Sequence, residues 1–574
     1  MSGFLVGIVL SMLIYLGVGW YAGRKVKRLE DYYVAGRNAP TLLIVSTLVA
    51  SFLSTNAFLG EVGMAYGGHA GLLVIVTLGN AAGYVVGALF FGRFLRRSRA
   101  LTVPEFFGQR FDSRRMQALA GLTIAVGLSC YLLAVTWGIS LLIAQVTGIS
   151  LTTAIIIAWL GYTGFTLYSG SRGVILTDTI MFGLFTFAAM LALYFIVDAA
   201  GGWSATVEQL ALYPDKPGVI AWHGVIGPES PWGNQVDALV WSLIMGVAWG
   251  VVVAVSPWQT SRYLMARSEH VVLRSACGAS LAVFLVYLVI YFGAAAINLS
   301  KPDIAPPESA MLWVAMNLMP TVAGAMMVSG ILAAGLSSAS TFLSLTGFSA
   351  SNDIFRHSHD PQRQLRSTRY TMIGISAIVL VLALVLPSNI FWITYFAGPL
   401  FASSWGVVTF MSVWSSRITE AGAFWGMVAG FLGNIGAKLL SLLGGIELPV
   451  YLHPILVGTF ISLLVVIAVS SRGSISDREH RYREGLFETP PQELSARDLS
   501  ASLLWPKAMV TIGVIMIFIL VFSYALPYQR ALQTQGASGQ IGAMMLAVSY
   551  GVVIVLTGLL VWRKIRKNYV ASGR

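Results

Sequence analysis

Charge is scarce in this chain. Asp, Glu, Lys and Arg make up 10% of its 574 residues against 56% hydrophobic ones, and the mean hydropathy is +0.76. A soluble core cannot bury so large an apolar share, so the class is a polytopic membrane protein. Cysteine is scarcer still: Cys130 and Cys277, the only two, both fall in apolar runs. Neither a disulfide framework nor a metal site follows from them. A hydrophilic stretch long enough for a catalytic domain is also missing, the longest being the outer segment 200–235 and the inner segment 471–505. The inner one reads as a solvated linker or an interfacial helix. With no metal-ligand cluster and no nucleophile–base constellation in the sequence, an enzyme is the weakest class.

What the chain does have is long apolar runs. Windows of about 20 apolar residues give about fifteen spans. They lie near 3–23, 41–66, 69–96, 116–146, 150–169, 174–199, 236–257, 271–298, 320–352, 369–387, 389–415, 419–443, 449–470, 506–527 and 541–562. The net charge of +12 is distributed unevenly. With the N-terminus outside and the C-terminus inside, the inner loops hold Arg24 through Arg28, Arg93 through Arg115, Arg262 through Arg274, Arg356 through Arg369 and Arg472 through Arg497, and the tail Arg563 through Lys567 is also inside. The outer loops keep little beyond Lys216, Lys301 and Arg530. Such asymmetry is the positive-inside rule, so the excess charge reports topology in a bilayer and gives no reason to expect a nucleic-acid partner. The first span has no basic leader and no small-residue cleavage site, and reads as a retained signal-anchor.

Between Ile331 and Arg356 one apolar run is dense in hydroxyls, and Ala334, Ser337, Ser338 and Thr341 fall at i, i+3, i+4 and i+7, along one helical stripe. Small side chains there let a neighbouring helix approach closely, which is the packing reading. Hydroxyl oxygens can also replace part of a hard cation's hydration shell. Two other spans look interrupted, one at Ala50-Ser51-Phe52-Leu53-Ser54-Thr55-Asn56-Ala57 and one at Trp249-Gly250 and Ser256-Pro257. Paired broken helices in corresponding positions point to an inverted-repeat transporter with a midplane binding site.

These residues resemble the sodium:solute symporter family, which includes sodium/glucose cotransporters and the bacterial proline permease. Asp31 through Arg37 resembles the entry to the family's first core helix, and Thr102-Val103-Pro104-Glu105-Phe106 with Arg110-Phe111 resembles its inner loop after the second. Ser412-Val413, Arg417, Gly422-Ala423, Gly426 through Gly430 and Leu432 match a family signature spacing. The resemblance implies an all-α, LeuT-like architecture of inverted five-helix repeats. It divides the chain into a leading helix and inner loop (1–40), a first repeat (41–199), an outer loop (200–235), a second repeat (236–418) and peripheral helices (419–574) that contain the linker 471–505.

The resemblance also implies a sodium site built from the backbone carbonyls of Ala50, Leu53 and Ala334 with the hydroxyls of Ser337 and Ser338. Thr177-Asp178 matches the family's Thr-Asp pair at the fifth core helix, although Ser169-Gly170 stands where Gly-Gly is usual. Asp178 is then either a helix-start carboxylate, a group that stabilises the bound cation from behind its ligands, or a ligand of a second sodium with Ser340 and Thr341. Glu61 falls inside the membrane on this map, either facing water in an outer vestibule or serving as a substrate-amine contact or proton-linked switch. Lys438 reads as snorkelling to the outer interface.

The solute is less defined. Sugar-carrying relatives have glutamine at the position of Ala57, and the tyrosine that follows the tryptophan in the proline permease is Val253 here, so neither sugar nor proline is supported. Ser54, Thr55, Asn56, Ala57, Trp249, Ser256 and Tyr131 are the solute-site candidates, with Asn80, Trp137 and Tyr395 added by position only. No Arg or Lys is expected deep in the core helices, so a solute carboxylate would rest on N–H groups freed at the helix breaks. The expected function is sodium-coupled import of a small monocarboxylate, amino acid or similar solute across a bacterial inner membrane, with Na+ as co-substrate and no obligate protein partner. The alternatives are a proton-coupled transporter of the same fold and a transporter-like solute sensor acting through a separate protein.

Overall fold

In hydrocarbon every backbone N–H and C=O must be bonded within the protein, and this chain meets that demand with helices. A computed structural model describes residues 3–355, 360–387, 389–444, 448–536 and 541–570. Arg356, at the edge of one inner basic cluster, lies outside them. Among the described residues thirteen helices are long and apolar enough to cross a membrane, and Thr41–Phe52 and Pro454–Ser470 are shorter apolar helices. The first of these is short because a break divides its apolar window.

The elements that frame the site are α1 (Gly3–Gly23), α2 (Thr41–Phe52), α3 (Ala70–Gly87), α4 (Arg114–Thr147), α5 (Leu151–Ala199), α6 (Gln235–Val255), α7 (Pro257–Met265), α8 (Glu269–Ala296) and α9 (Thr321–Phe348). The chain continues through α10 (Pro361–Val385), α11 (Ile390–Trp414), α12 (Glu420–Gly444), α13 (Pro454–Ser470), α14 (Ala496–Leu520) and α15 (Ile541–Ile565). α9 is central: its span is 78% buried, whereas that of α1 is 22% buried and turns most of its apolar surface outward. α9 packs against α5, α4 and α1, and α6 packs along α3.

Three interruptions shape the core, each with a local cause. α2 ends where Leu53 leaves helical geometry (φ −75°, ψ 83°). The Ser54 N–H, which would otherwise close the turn onto Ala50, bonds to Phe52 O at 2.9 Å, and Ser54 Oγ accepts the Asn56 N–H at 3.1 Å. A short polar side chain thus offers the backbone an alternative to the helical ladder. α6 gives way to α7 at Ser256, which is extended (φ −61°, ψ 144°). Pro257 follows at the first position of α7, where its missing N–H costs nothing and its ring pushes the preceding residue out of helix. The long α5 bends at Gly170 (φ 54°, ψ −162°). A β-carbon there would lie 2.4 Å from the Tyr32 ring, so both the left-handed backbone and the close approach require glycine.

The inner linker departs from the solvated-segment expectation. Its helix Asp477–Gly485 and the strand of chain after it dock onto the transporter body. Tyr482 Oη donates to Gln109 Oε1 at 2.9 Å, Arg97 donates to Leu486 O at 2.7 Å and pairs with Glu269, and His270 Nε2 meets Glu493 O at 2.8 Å. Glu479 and Glu493 are buried against the body, while most other charges of the segment face outward. α14 and α15 pack on each other, and Tyr550 on α15 hydrogen-bonds to Phe284 O on α8.

Candidate functional site

The broken end of α2 lies against α4 and α9. Thr55 packs so closely on Gly335 that a β-carbon there would sit 2.6 Å from Thr55 Cγ2, and one at Gly138 would sit 2.4 Å from Thr55 Oγ1. Small residues on two helices thus let the Ser54-Thr55-Asn56 break approach the Ala334–Ser338 segment. Ala50, Leu53, Ala334, Ser337 and Ser338 are all fully buried. Among the described residues Ser338 Oγ has no hydrogen-bond partner, and neither does Thr55 Oγ1.

Asp178, also fully buried, ties four helices together. Ser337 Oγ on α9 donates to Asp178 Oδ1 at 2.6 Å, and Thr47 Oγ1 on α2 donates to Oδ2. Arg262 on α7 brings its guanidinium to 3.7 Å from Oδ2 and donates to Thr341 Oγ1. Ser340 Oγ donates to Ser337 O at 2.9 Å. Asp178 is therefore no solvated helix-start carboxylate.

Arg262 corrects the expectation that no Arg or Lys lies deep in the core. Its side chain is 2% exposed. Counted from sequence it opens an inner basic loop, but α7 carries it inward because the Pro257 restart continues the helix for two more turns after the break. Thr47 and Arg262 are the members of this cluster that sequence reasoning missed. The available signal was a basic residue five positions after Pro257 in a segment whose neighbours are otherwise neutral.

A second cluster surrounds Glu61, just beyond the α2 break. At 4% exposure the carboxylate does not face an aqueous vestibule. Tyr291 Oη donates to Oε2 at 2.7 Å, and Asn56 Nδ2 and Tyr395 Oη donate to Oε1 at 3.1 and 3.4 Å. Tyr291 was not anticipated, although Tyr287 and Tyr291 stand at i and i+4 on one face of α8. Trp249 adjoins this cluster: its ring centroid is 5.3 Å from that of Tyr395 and 6.0 Å from that of Phe52, and its Nε1 has no partner.

The other solute candidates divide. Tyr131 packs with Phe342 and Trp258, at centroid distances of 4.5 and 5.6 Å, and its hydroxyl pairs with the Ser54 side chain at the α2 break, on the Glu61 side of the core. Ser256 Oγ and Asn80 Oδ1 are buried without partners, and Ala57 is buried. Trp137 Nε1 donates to Ala383 O at 3.0 Å, which makes it a packing tie to α10. Lys438 borders a cavity of about 560 Å³ that Trp241, Tyr395 and His453 also line.

The chain as a whole has counterparts among known proteins. The chain is 22% identical to the sodium/pantothenate symporter of Escherichia coli over 482 residues, covering 81% of this chain and 96% of that one. It is 26% identical to the E. coli sodium/proline symporter over 460 residues, covering 75% and 87%. Its fold resembles the substrate-bound, outward-open structure of a Na+-coupled sialic acid symporter, with a TM-score of 0.69 at 18% identity over 83% of this chain and 99% of that one. It also resembles a nucleobase-cation-symport-1 family transporter in a closed conformation with bromovinylhydantoin bound, with a TM-score of 0.52 at 13% identity over 79% and 98%. The fold is therefore LeuT-like, and the chain is a multi-pass membrane transporter rather than an enzyme. Residues 32–430, most of the chain, match the sodium:solute symporter family, and the protein belongs to that family of sodium-coupled solute carriers.

Proposed function

We propose that the protein imports a small organic solute by alternating access, driven by one sodium ion held between α2 and α9. The ligands are the carbonyls of Ala50, Leu53 and Ala334 and the hydroxyls of Ser337 and Ser338. The observation that carries this reading is Ser338 Oγ, buried without a partner one residue from the hydroxyl that bonds Asp178. An orphaned buried hydroxyl costs stability unless something satisfies it, and a cation between the freed Ala50 carbonyl and this stripe does so.

Asp178 acts from behind that site by orienting Ser337. Arg262 argues against a second sodium on Asp178, Ser340 and Thr341, because its guanidinium already supplies the positive charge there and occupies Thr341 Oγ1. Sodium and solute each raise the other's affinity by the same factor. We also take the repeats as 41–199 and 236–418, and place the chain in a bacterial inner membrane with its N-terminus outside, as loop charge directs.

The test is uptake into proteoliposomes with the Ser337→Ala and Ser338→Ala variants. Each weakens sodium activation by about tenfold or more while protein yield stays near normal, as expected for loss of a contact to a charged group. Unchanged sodium dependence in both variants removes the assignment. Uptake in sodium-free buffer that follows an imposed pH gradient would instead establish proton coupling. Solute binding without any uptake would point to a sensor.

A further inference from the structure

The symporter reading leaves open whether the solute is a plain carboxylate or carries an amine. The Glu61 cluster bears on that choice. An intramembrane carboxylate is costly unless something balances it. Glu61 is surrounded by neutral donors: the hydroxyls of Tyr291, Tyr287 and Tyr395 and the Asn56 amide. Among the described residues no Lys, Arg or His forms an ion pair with it. Asp178 and Glu269, by contrast, each have a buried arginine within the protein. Asp353, also fully buried, is met by the neutral donors Thr102, Gln117 and Asn352, so what sets Glu61 apart is its place beside a helix break among aromatic rings.

The wall beside Glu61 is aromatic. The Tyr291 and Tyr287 rings lie 5.0 Å apart, Tyr287 and Phe52 6.0 Å, Phe52 and Trp249 6.0 Å, and Trp249 and Tyr395 5.3 Å. The chain of rings therefore begins and ends on tyrosines that bond the same carboxylate. Ring faces attract cations, most of all when desolvated, and a carboxylate set among them is a recognised way to bind an ammonium group. Two buried polar atoms of this group have no partner among the described residues: Asn56 Oδ1, an acceptor on the side chain that bonds Glu61, and Trp249 Nε1, a donor. An acceptor suits an ammonium N–H, and a donor suits the opposite end of a zwitterion.

We propose that Glu61 is the counter-charge for a protonated amine on the transported solute, so that the substrate class is an amine or amino acid and not a simple monocarboxylate. This rests on the symporter reading above but not on the sodium ligands. The ammonium donates to Glu61 and Asn56 Oδ1 against the Phe52, Trp249 and Tyr395 rings. A carboxylate on the same molecule takes Trp249 Nε1 or groups at the α2 break.

The test uses the purified full chain in detergent and matched pairs that differ only in the amine: alanine and propionate, 4-aminobutyrate and butyrate, leucine and 4-methylpentanoate. Thermal stabilisation is titrated in sodium and again in potassium. Stabilisation by amine-bearing members alone is the expected result. Equal stabilisation by the des-amino partner, or none by any amine, overturns the proposal. Glu61→Gln, isosteric with the native residue, lowers amine affinity by about tenfold or more, whereas Glu61→Asp keeps part of it. Unchanged affinity in Glu61→Gln overturns the assignment. Should Glu61→Gln fail to elute as a monodisperse peak, the matched pairs on the native chain and the Glu61→Asp titration still decide. Amine selectivity that is equal in potassium leaves this proposal standing and removes the sodium reading, so the two fail separately. Des-amino acids whose uptake tracks pH, with that dependence lost in Glu61→Gln, would make Glu61 a proton carrier instead.

Discussion

Replacing Asp178 by asparagine keeps the shape of the side chain and removes one charge from a pair that is almost sealed from water, with side-chain exposures of 2% for Arg262 and 0% for Asp178. At their 3.7 Å separation, an effective dielectric of about 20 makes the attraction worth about 4 kcal/mol. Loss of one partner from a buried pair costs about 3–5 kcal/mol in general, mostly because the other charge stays buried without compensation. Asp178→Asn and Arg262→Gln are therefore each expected to destabilise the protein by about that amount. The double variant should cost less than the sum of the two by about 3 kcal/mol, since it leaves no stranded charge. The assay is a double-mutant cycle from equilibrium unfolding in mixed micelles, at one fixed sodium concentration because bound sodium adds its own stabilisation. Additivity to within about 0.5 kcal/mol would refute the pairing and with it the argument against a second sodium.

Other outcomes follow from the same contacts. Sodium activation of uptake in the native chain should be hyperbolic, while Arg262→Gln, which frees Asp178 and Thr341, should make it sigmoidal if those oxygens then accept a second ion; initial rates against sodium concentration decide this. Trp249→Ala should weaken solute binding about tenfold or more and Trp249→Phe less, because the ring face rather than the indole N–H makes the larger contribution; competition binding measures both. Arg97→Ala removes the pairing with Glu269 and the bond to Leu486 O, so limited proteolysis should cut within 471–505 faster while α9 stays protected. The same linker has a pH dependence: burial raises the Glu493 carboxyl above its ordinary value, more than the Glu269 N–H bond lowers it. For an acid raised in the folded state, docking is weakest when the group is ionised and tightens as pH falls through the raised value, so proteolysis should slow on acidification toward pH 5.

How far the sequence revealed these features depended on the range over which each is determined. Span positions were legible because hydropathy is local, and the α2 and α6–α7 breaks were legible because Ser54 and Pro257 act on their own turn. The hydroxyl stripe was legible because helical spacing places Ser337, Ser338 and Thr341 on one face whatever surrounds them. Partners were not legible. Nothing near Asp178 in sequence indicates that Arg262, 84 positions later, reaches it, and Glu61 gained Tyr291 only because α8 crosses the broken helix.

Charge was the feature most easily misread, because a residue's sequence neighbours describe its loop and not its depth. Arg262 counted as a loop cation and proved buried, and the linker's Glu493 counted as solvated and proved buried against the Glu269 N–H. Both errors run the same way. In a chain with so few charges, each one that folding brings inside needs compensation: Asp178 and Glu269 have a buried arginine, whereas Asp353 and Glu61 are met by neutral donors. Glu61 differs from Asp353 in its setting, beside the α2 break and walled by aromatic rings. A transporter has one component that arrives from outside and leaves again, and a site completed only by that component is vacated and refilled in every cycle. An ammonium on the solute would balance Glu61 in that transient way, which a resident arginine could not.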